Sequence, residues 1–62
     1  SLSSYIMDER MAAAKRLLAT TGFSPQQICD RIGIANVSYF YRQFKKSSGV
    51  TPQQYRERHF HG

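Results

Sequence analysis

Two stretches constrain this chain more than any other feature: Phe23-Ser24-Pro25-Gln26-Gln27-Ile28 and Val50-Thr51-Pro52-Gln53-Gln54-Tyr55. Each reads as the start of an α-helix. A Ser or Thr side chain caps the free amides of the first turn, and proline suits the first helical position, where no amide hydrogen is needed. The glutamine three residues after the cap returns a hydrogen bond to the cap's own amide, which closes a capping box. Phe23 before the first cap pairs with Ile28 as a hydrophobic staple, and Val50 with Tyr55 does the same at the second. Two helices are thereby predicted to start at Pro25 and Pro52.

The rest of the punctuation predicts two more. Ile6 or Met7, Met11, Ala14, Leu17 and Leu18 recur at spacings of three and four, an apolar stripe on a helix from about Leu2 to Thr20. Gly22 is its expected C-terminal stop. The helix opened by Ser24 is short, buries Ile28, Cys29 and Ile32, and ends near Gly33, which can take the positive φ of a tight corner. Asn36 then caps a helix from Val37 to about Ser48, ended by Gly49. Phe40 and Phe44 lie four apart on one face of it, with Val37 flanking them. At roughly 100° per residue the opposite face carries Ser38, Tyr39, Arg42, Lys45 and Lys46. For Tyr39, packing against the preceding helix is the alternative. The last helix runs from Pro52 to about His59. No strand pattern is present, so the fold class is all-α with about four helices.

Sixty-two residues allow one small domain with a thin core. Hydrophobic residues make up 40% and aromatics 13%, too much apolar material for a disordered tail. A lone cysteine, Cys29, excludes an internal disulfide framework and fits a reducing cytoplasm. No apolar run is long enough to span a bilayer, so no membrane role is expected. The net charge of +5 is unevenly placed. Three bases and three acids cancel over residues 1–30, whereas residues 31–62 hold Arg31, Arg42, Lys45, Lys46, Arg56 and Arg58 against Glu57 alone. Such a one-sided basic field points to a polyanion, nucleic acid ahead of membrane surface.

Two short helices joined by a glycine-containing turn form a helix-turn-helix. The first holds the second at a fixed angle, and the second must bury one face while leaving the other polar and basic. Val37–Ser48 meets both demands. Enzyme chemistry finds no support. His59 and His61 are two apart on a fraying end, the wrong spacing for ligands on one helical face, so no metal is expected there. Cys29 lies on a buried stripe with no His or Asp partner nearby, so a core role is expected for it. No cofactor site is legible.

The ordered set Ile28-Cys29-Asp30-Arg31-Ile32-Gly33-Ile34, Ser38-Tyr39-Phe40, Arg42, Phe44-Lys45, Gly49, Thr51-Pro52 and Tyr55-Arg56 resembles the C-terminal half of the AraC/XylS-type transcription regulator domain. The upstream segment Tyr5-Ile6, Arg10-Met11, Ala14 and Leu17-Leu18 resembles the long helix that links the family's two helix-turn-helix units. The chain departs from the family pattern at Cys29, usually alanine, at Ile34, usually aromatic, and at Pro25, commonly apolar. The resemblance implies residues 1–21 as a linker helix with the end of a preceding unit, and residues 22–62 as the helix-turn-helix unit. It implies sequence-specific binding to double-stranded DNA in a bacterial transcription regulator, with base contacts from Val37, Ser38, Tyr39 and Arg42. Backbone contacts are expected from Ser24, Asn36, Lys45 and Lys46. Further implied partners are the remainder of the regulator, with its sensing or receiver domain, and RNA polymerase.

Ser1-Leu2-Ser3-Ser4-Tyr5 echoes Thr51-Pro52-Gln53-Gln54-Tyr55, which leads us to expect that the chain is a piece of a longer tandem protein. The rival class is a helical protein-interaction module that turns the same basic face to an acidic partner. An RNA-binding module is weaker, because the A-form major groove excludes a helix.

Overall fold

The computed structural model describes residues 2–60, so Ser1 of the echo and His61 of the tail lie outside the described residues. Four helices follow in order: α1 (Leu2–Thr20), α2 (Pro25–Ile32), α3 (Val37–Ser48) and α4 (Pro52–His59). Among the described residues there is no strand. No helix there is long and apolar enough to cross a membrane.

Both expected capping boxes form, and they are near copies. The Gln27 amide donates to Ser24 Oγ at 3.2 Å, and the Ser24 amide donates to Gln27 Oε1 at 2.9 Å. The Gln54 amide donates to Thr51 Oγ1 at 3.2 Å, and the Thr51 amide to Gln54 Oε1 at 3.0 Å. The corner after α2 turns at Gly33, whose φ of 82° is left-handed and whose amide donates to the Cys29 carbonyl at 2.9 Å. α3 ends the same way, at Gly49 with φ 82°.

α1 ends differently from expectation. Gly22 is not among the glycines with positive φ, so no left-handed cap stops this helix. Threonine hydroxyls add second hydrogen bonds to its last turn instead: Thr20 Oγ1 donates to the Arg16 carbonyl at 2.7 Å, and Thr21 Oγ1 to the Leu17 carbonyl at 2.6 Å, which also accepts the Thr21 amide at 2.9 Å. The rest of the cap comes from α4. Arg56 donates through Nε to the Leu18 carbonyl at 3.1 Å, and through Nη2 to the carbonyls of Thr21 at 2.9 Å and Phe23 at 2.7 Å. One side chain thus ties α4 to the end of α1 and the entry to α2.

α1 packs against all three other helices, and α3 packs against α2 and α4. The core between them comprises Met11, Ala14, Leu18, Ile28, Cys29, Ile34, Phe40 and Phe44. The α1 stripe settles on Met7, which packs at the core's edge, while Ile6 stays 44% exposed. Ile34, where the chain departs from the family's usual aromatic, is buried and closes the core under the corner. Pro52 is buried too. Phe44 is the hub of the aromatic contacts: its ring lies 5.8 Å from Phe40 and meets Tyr55 of α4 edge-on at 5.6 Å. Such pairs add about 0.5–1.5 kcal/mol beyond the area they bury.

Candidate nucleic-acid interface

α2, the corner at Gly33 and α3 together make a helix-turn-helix, and α3 presents its two faces as the periodicity requires. Phe40 and Phe44 are fully buried, with Val37 and Tyr41 packed beside them. Ser38, Arg42, Lys45 and Lys46 are exposed, and Tyr39 is 39% exposed. Tyr39 therefore lies on the outer face and does not fill the core under α2. No side chain of Arg42, Lys45 or Lys46 makes a hydrogen bond or ion pair among the described residues. Their charges face outward without an ion pair among the described residues, so the face can attract an anion.

Of the eight residues singled out from the sequence, five share this outer face: Ser38, Tyr39, Arg42, Lys45 and Lys46. Val37 is half-buried and packs on the core, so only part of its side chain faces out. Asn36 sits at the start of α3 with Oδ1 already accepting the Tyr39 amide at 3.0 Å. Ser24 stands on another element, at the start of α2, and its amide and Oγ are joined to Gln27. The free amides of both helix starts are thus partly occupied by their own caps.

The basic half of the chain is smaller in use than in composition. Arg56, counted in that half, turns its guanidinium inward onto three carbonyls. Arg31 is exposed, but its guanidinium rests 4.3 Å from the centre of the Phe23 ring. His59 stacks on Tyr55 with ring centres 4.2 Å apart, so the exposed end of α4 is less free than a solvated tail. Cys29 is fully buried, and burial followed by the adjacent Asp30 carboxylate pushes its thiol above the usual range. A thiol held protonated is a poor nucleophile.

Sequence reasoning missed two residues near the interface. The Arg10 guanidinium lies beside the corner, with Nη2 3.7 Å from the place a Cβ at Gly33 would occupy. Asp8 lines a cleft between α1 and α3. Neither has a local signal, because each meets residues more than twenty positions away.

A basic, solvent-facing second helix held by a glycine corner defines the helix-turn-helix class of DNA-binding domains. Comparison with known proteins narrows the class: the family profile described as "Helix-turn-helix domain" matches residues 1–58. The chain belongs to the AraC/XylS-type helix-turn-helix family. It is 44% identical over 50 residues to the HTH-type transcriptional activator CsvR of Escherichia coli, which covers 81% of this chain and 19% of the activator. The solved C-terminal domain of the two-component response regulator yesN from Fusobacterium nucleatum is 41% identical with a TM-score of 0.85. That match covers 87% of this chain and 52% of the solved one. The xylose-binding transcription activator xylR superposes with a TM-score of 0.90 at 31% identity, over 98% of this chain and 16% of that one. The chain thus spans about a fifth of the curated activator it matches.

Proposed function

We propose that this chain binds duplex DNA sequence-specifically by inserting α3 into the major groove, as one unit of a bacterial transcription regulator. The observation that carries the reading is the outer face of α3, where Arg42, Lys45 and Lys46 stand exposed and unpaired while Phe40 and Phe44 anchor the opposite face. Val37, Ser38, Tyr39 and Arg42 read base edges. The Arg42 fork suits the O6 and N7 acceptors of guanine, and the Val37 methyls suit a thymine methyl. Lys45 and Lys46 neutralise phosphates, and Ser24 and Asn36 add polar groups at helix starts.

In this reading α1 lies within the linker segment of residues 1–21. Its second half belongs to the core through Met11, Ala14 and Leu18, while Leu2 and Tyr5 at its start are 76% and 61% exposed. A preceding unit would cover that end. The whole regulator acts in the cytoplasm, with a sensing or receiver domain and with RNA polymerase as partners, and this unit supplies no catalysis.

The test is a chemical-shift titration of labelled protein with mixed-sequence duplex at two salt concentrations. Phosphate neutralisation releases counterions, so log K falls with log salt with a slope of about −0.9 per phosphate. Shifts concentrated on Val37–Lys46 and Ser24, weakening steeply with salt, are the expected result. No shifts at low salt would overturn the reading in favour of a protein-interaction surface.

A further inference from the structure

We propose that Asp8 is an affinity-limiting residue: its carboxylate stands beside the phosphate position that Lys46 holds, and it repels the DNA backbone there. The inference rests on the DNA-binding reading above. A cleft of about 290 Å³ separates α1 from α3, lined by Met7, Asp8 and Met11 on one side and Gln43, Lys46 and Ser47 on the other. Asp8 and Lys46 are both exposed in it, and neither makes a hydrogen bond or ion pair among the described residues. Each charge therefore acts on whatever enters the cleft's mouth.

The two lysines at the end of α3 differ in this respect. Lys46 lines the cleft, while Lys45, about 100° round the helix, does not. A phosphate held by Lys46 comes within the field of the Asp8 carboxylate, whereas one held by Lys45 turns away from it. Two like charges within a screening length of each other in water repel enough to change an equilibrium constant by about two- to fivefold at low salt. Salt reduces that factor, since the screening length is about 10 Å at 0.1 M. Phosphate contacts carry no sequence information, so the repulsion weakens specific and mixed-sequence duplexes alike and leaves their ratio unchanged.

The experiment titrates the 62-residue chain with mixed-sequence duplex by fluorescence anisotropy, at about 50 mM and about 200 mM salt. The variants are Asp8→Asn, Lys46→Ala, the pair together, and Glu9→Gln as the control one position along α1 and outside the cleft. Asp8→Asn is expected to tighten binding about two- to fivefold at the lower salt and less at the higher. Glu9→Gln should change it by a smaller factor, and Lys46→Ala should cost more in the Asp8→Asn background than alone. Equal gains from Asp8→Asn and Glu9→Gln, or an identical Lys46→Ala cost in both backgrounds, would overturn the inference while wild-type binding still upheld the DNA reading. A wild-type chain that bound no duplex at low salt would overturn both.

Discussion

α3 carries Arg42, Lys45 and Lys46 with no acid, α4 carries Arg56 and Arg58 around Glu57, and the two helices use their cations in opposite directions. On α3, Arg42, Lys45 and Lys46 point into solvent above a face anchored by two buried phenylalanines. On α4, only Pro52 is buried, and Arg56 spends its guanidinium on the carbonyls of Leu18, Thr21 and Phe23. A helix with a full apolar stripe can leave its cations free for a ligand. A helix without one needs a cation to hold it, because hydrogen bonds to charged groups contribute about 1.5–3 kcal/mol where a neutral bond gives about half that. Summed charge therefore overstates what this surface offers to an anion.

The sharpest way to break the comparison is to remove Arg56. Arg56→Ala leaves three carbonyls without their donor and should cost about 2–3 kcal/mol, less than three separate bonds because the carbonyls regain some water. In a domain this small that lowers Tm by on the order of 10–20 °C, measurable by thermal circular dichroism. A drop of only a degree or two would show that the aromatic contacts of Tyr55 suffice to hold α4.

Arg42 is the counterpart on α3. Arg42→Ala should leave Tm nearly unchanged, since it has no internal partner. It should cost about 1–3 kcal/mol in binding a preferred duplex and relax choice at one base position. Equal losses on preferred and random duplexes would remove it from base reading. Lys45→Ala, by contrast, should weaken every duplex alike and reduce the salt slope by about one unit.

The caps sharpen the comparison further. Ser24→Ala and Thr51→Ala delete equivalent hydrogen bonds, each worth about 1 kcal/mol. Denaturant titration should find similar stability losses. Hydrogen exchange should separate them: α4 amides exchange faster in Thr51→Ala, whereas those of α2, fastened by Ile28 and Cys29, hardly respond. The smallest effect concerns pH. The folded Cys29 thiol titrates above its unfolded range of roughly 8.5. Unfolding then releases a proton once pH passes that range, so this group's contribution is intact at neutral pH and is lost as pH rises beyond it. Cys29→Ala should lose less stability between about pH 8 and 10 than the wild type.

Much of the fold was legible locally. The capping boxes at Ser24 and Thr51, the left-handed corners at Gly33 and Gly49 and the two faces of α3 all depend on residues within a few positions of one another. Backbone amides, prolines and helical periodicity act over that range, which is why the four helix spans follow from the sequence alone. The outward placement of Ser38, Tyr39, Arg42, Lys45 and Lys46 followed for the same reason, once Phe40 and Phe44 set the inner face.

What escaped was decided across longer separations. Arg56 reads as one more base in a basic half, since nothing beside it in sequence says that carbonyls 33 to 38 residues earlier will receive its hydrogens. Gly22 reads as a helix stop, yet α1 ends under threonine hydroxyls and that distant guanidinium. The choice of Met7 over Ile6 and the burial of Ile34 and Pro52 depend on where neighbouring helices lie. So does the meeting of Asp8 and Lys46 on one cleft. Helix starts and faces are set by bonds a chain makes with its own next turn. Which cation is structural, and which is left for a ligand, is set only when the helices pack.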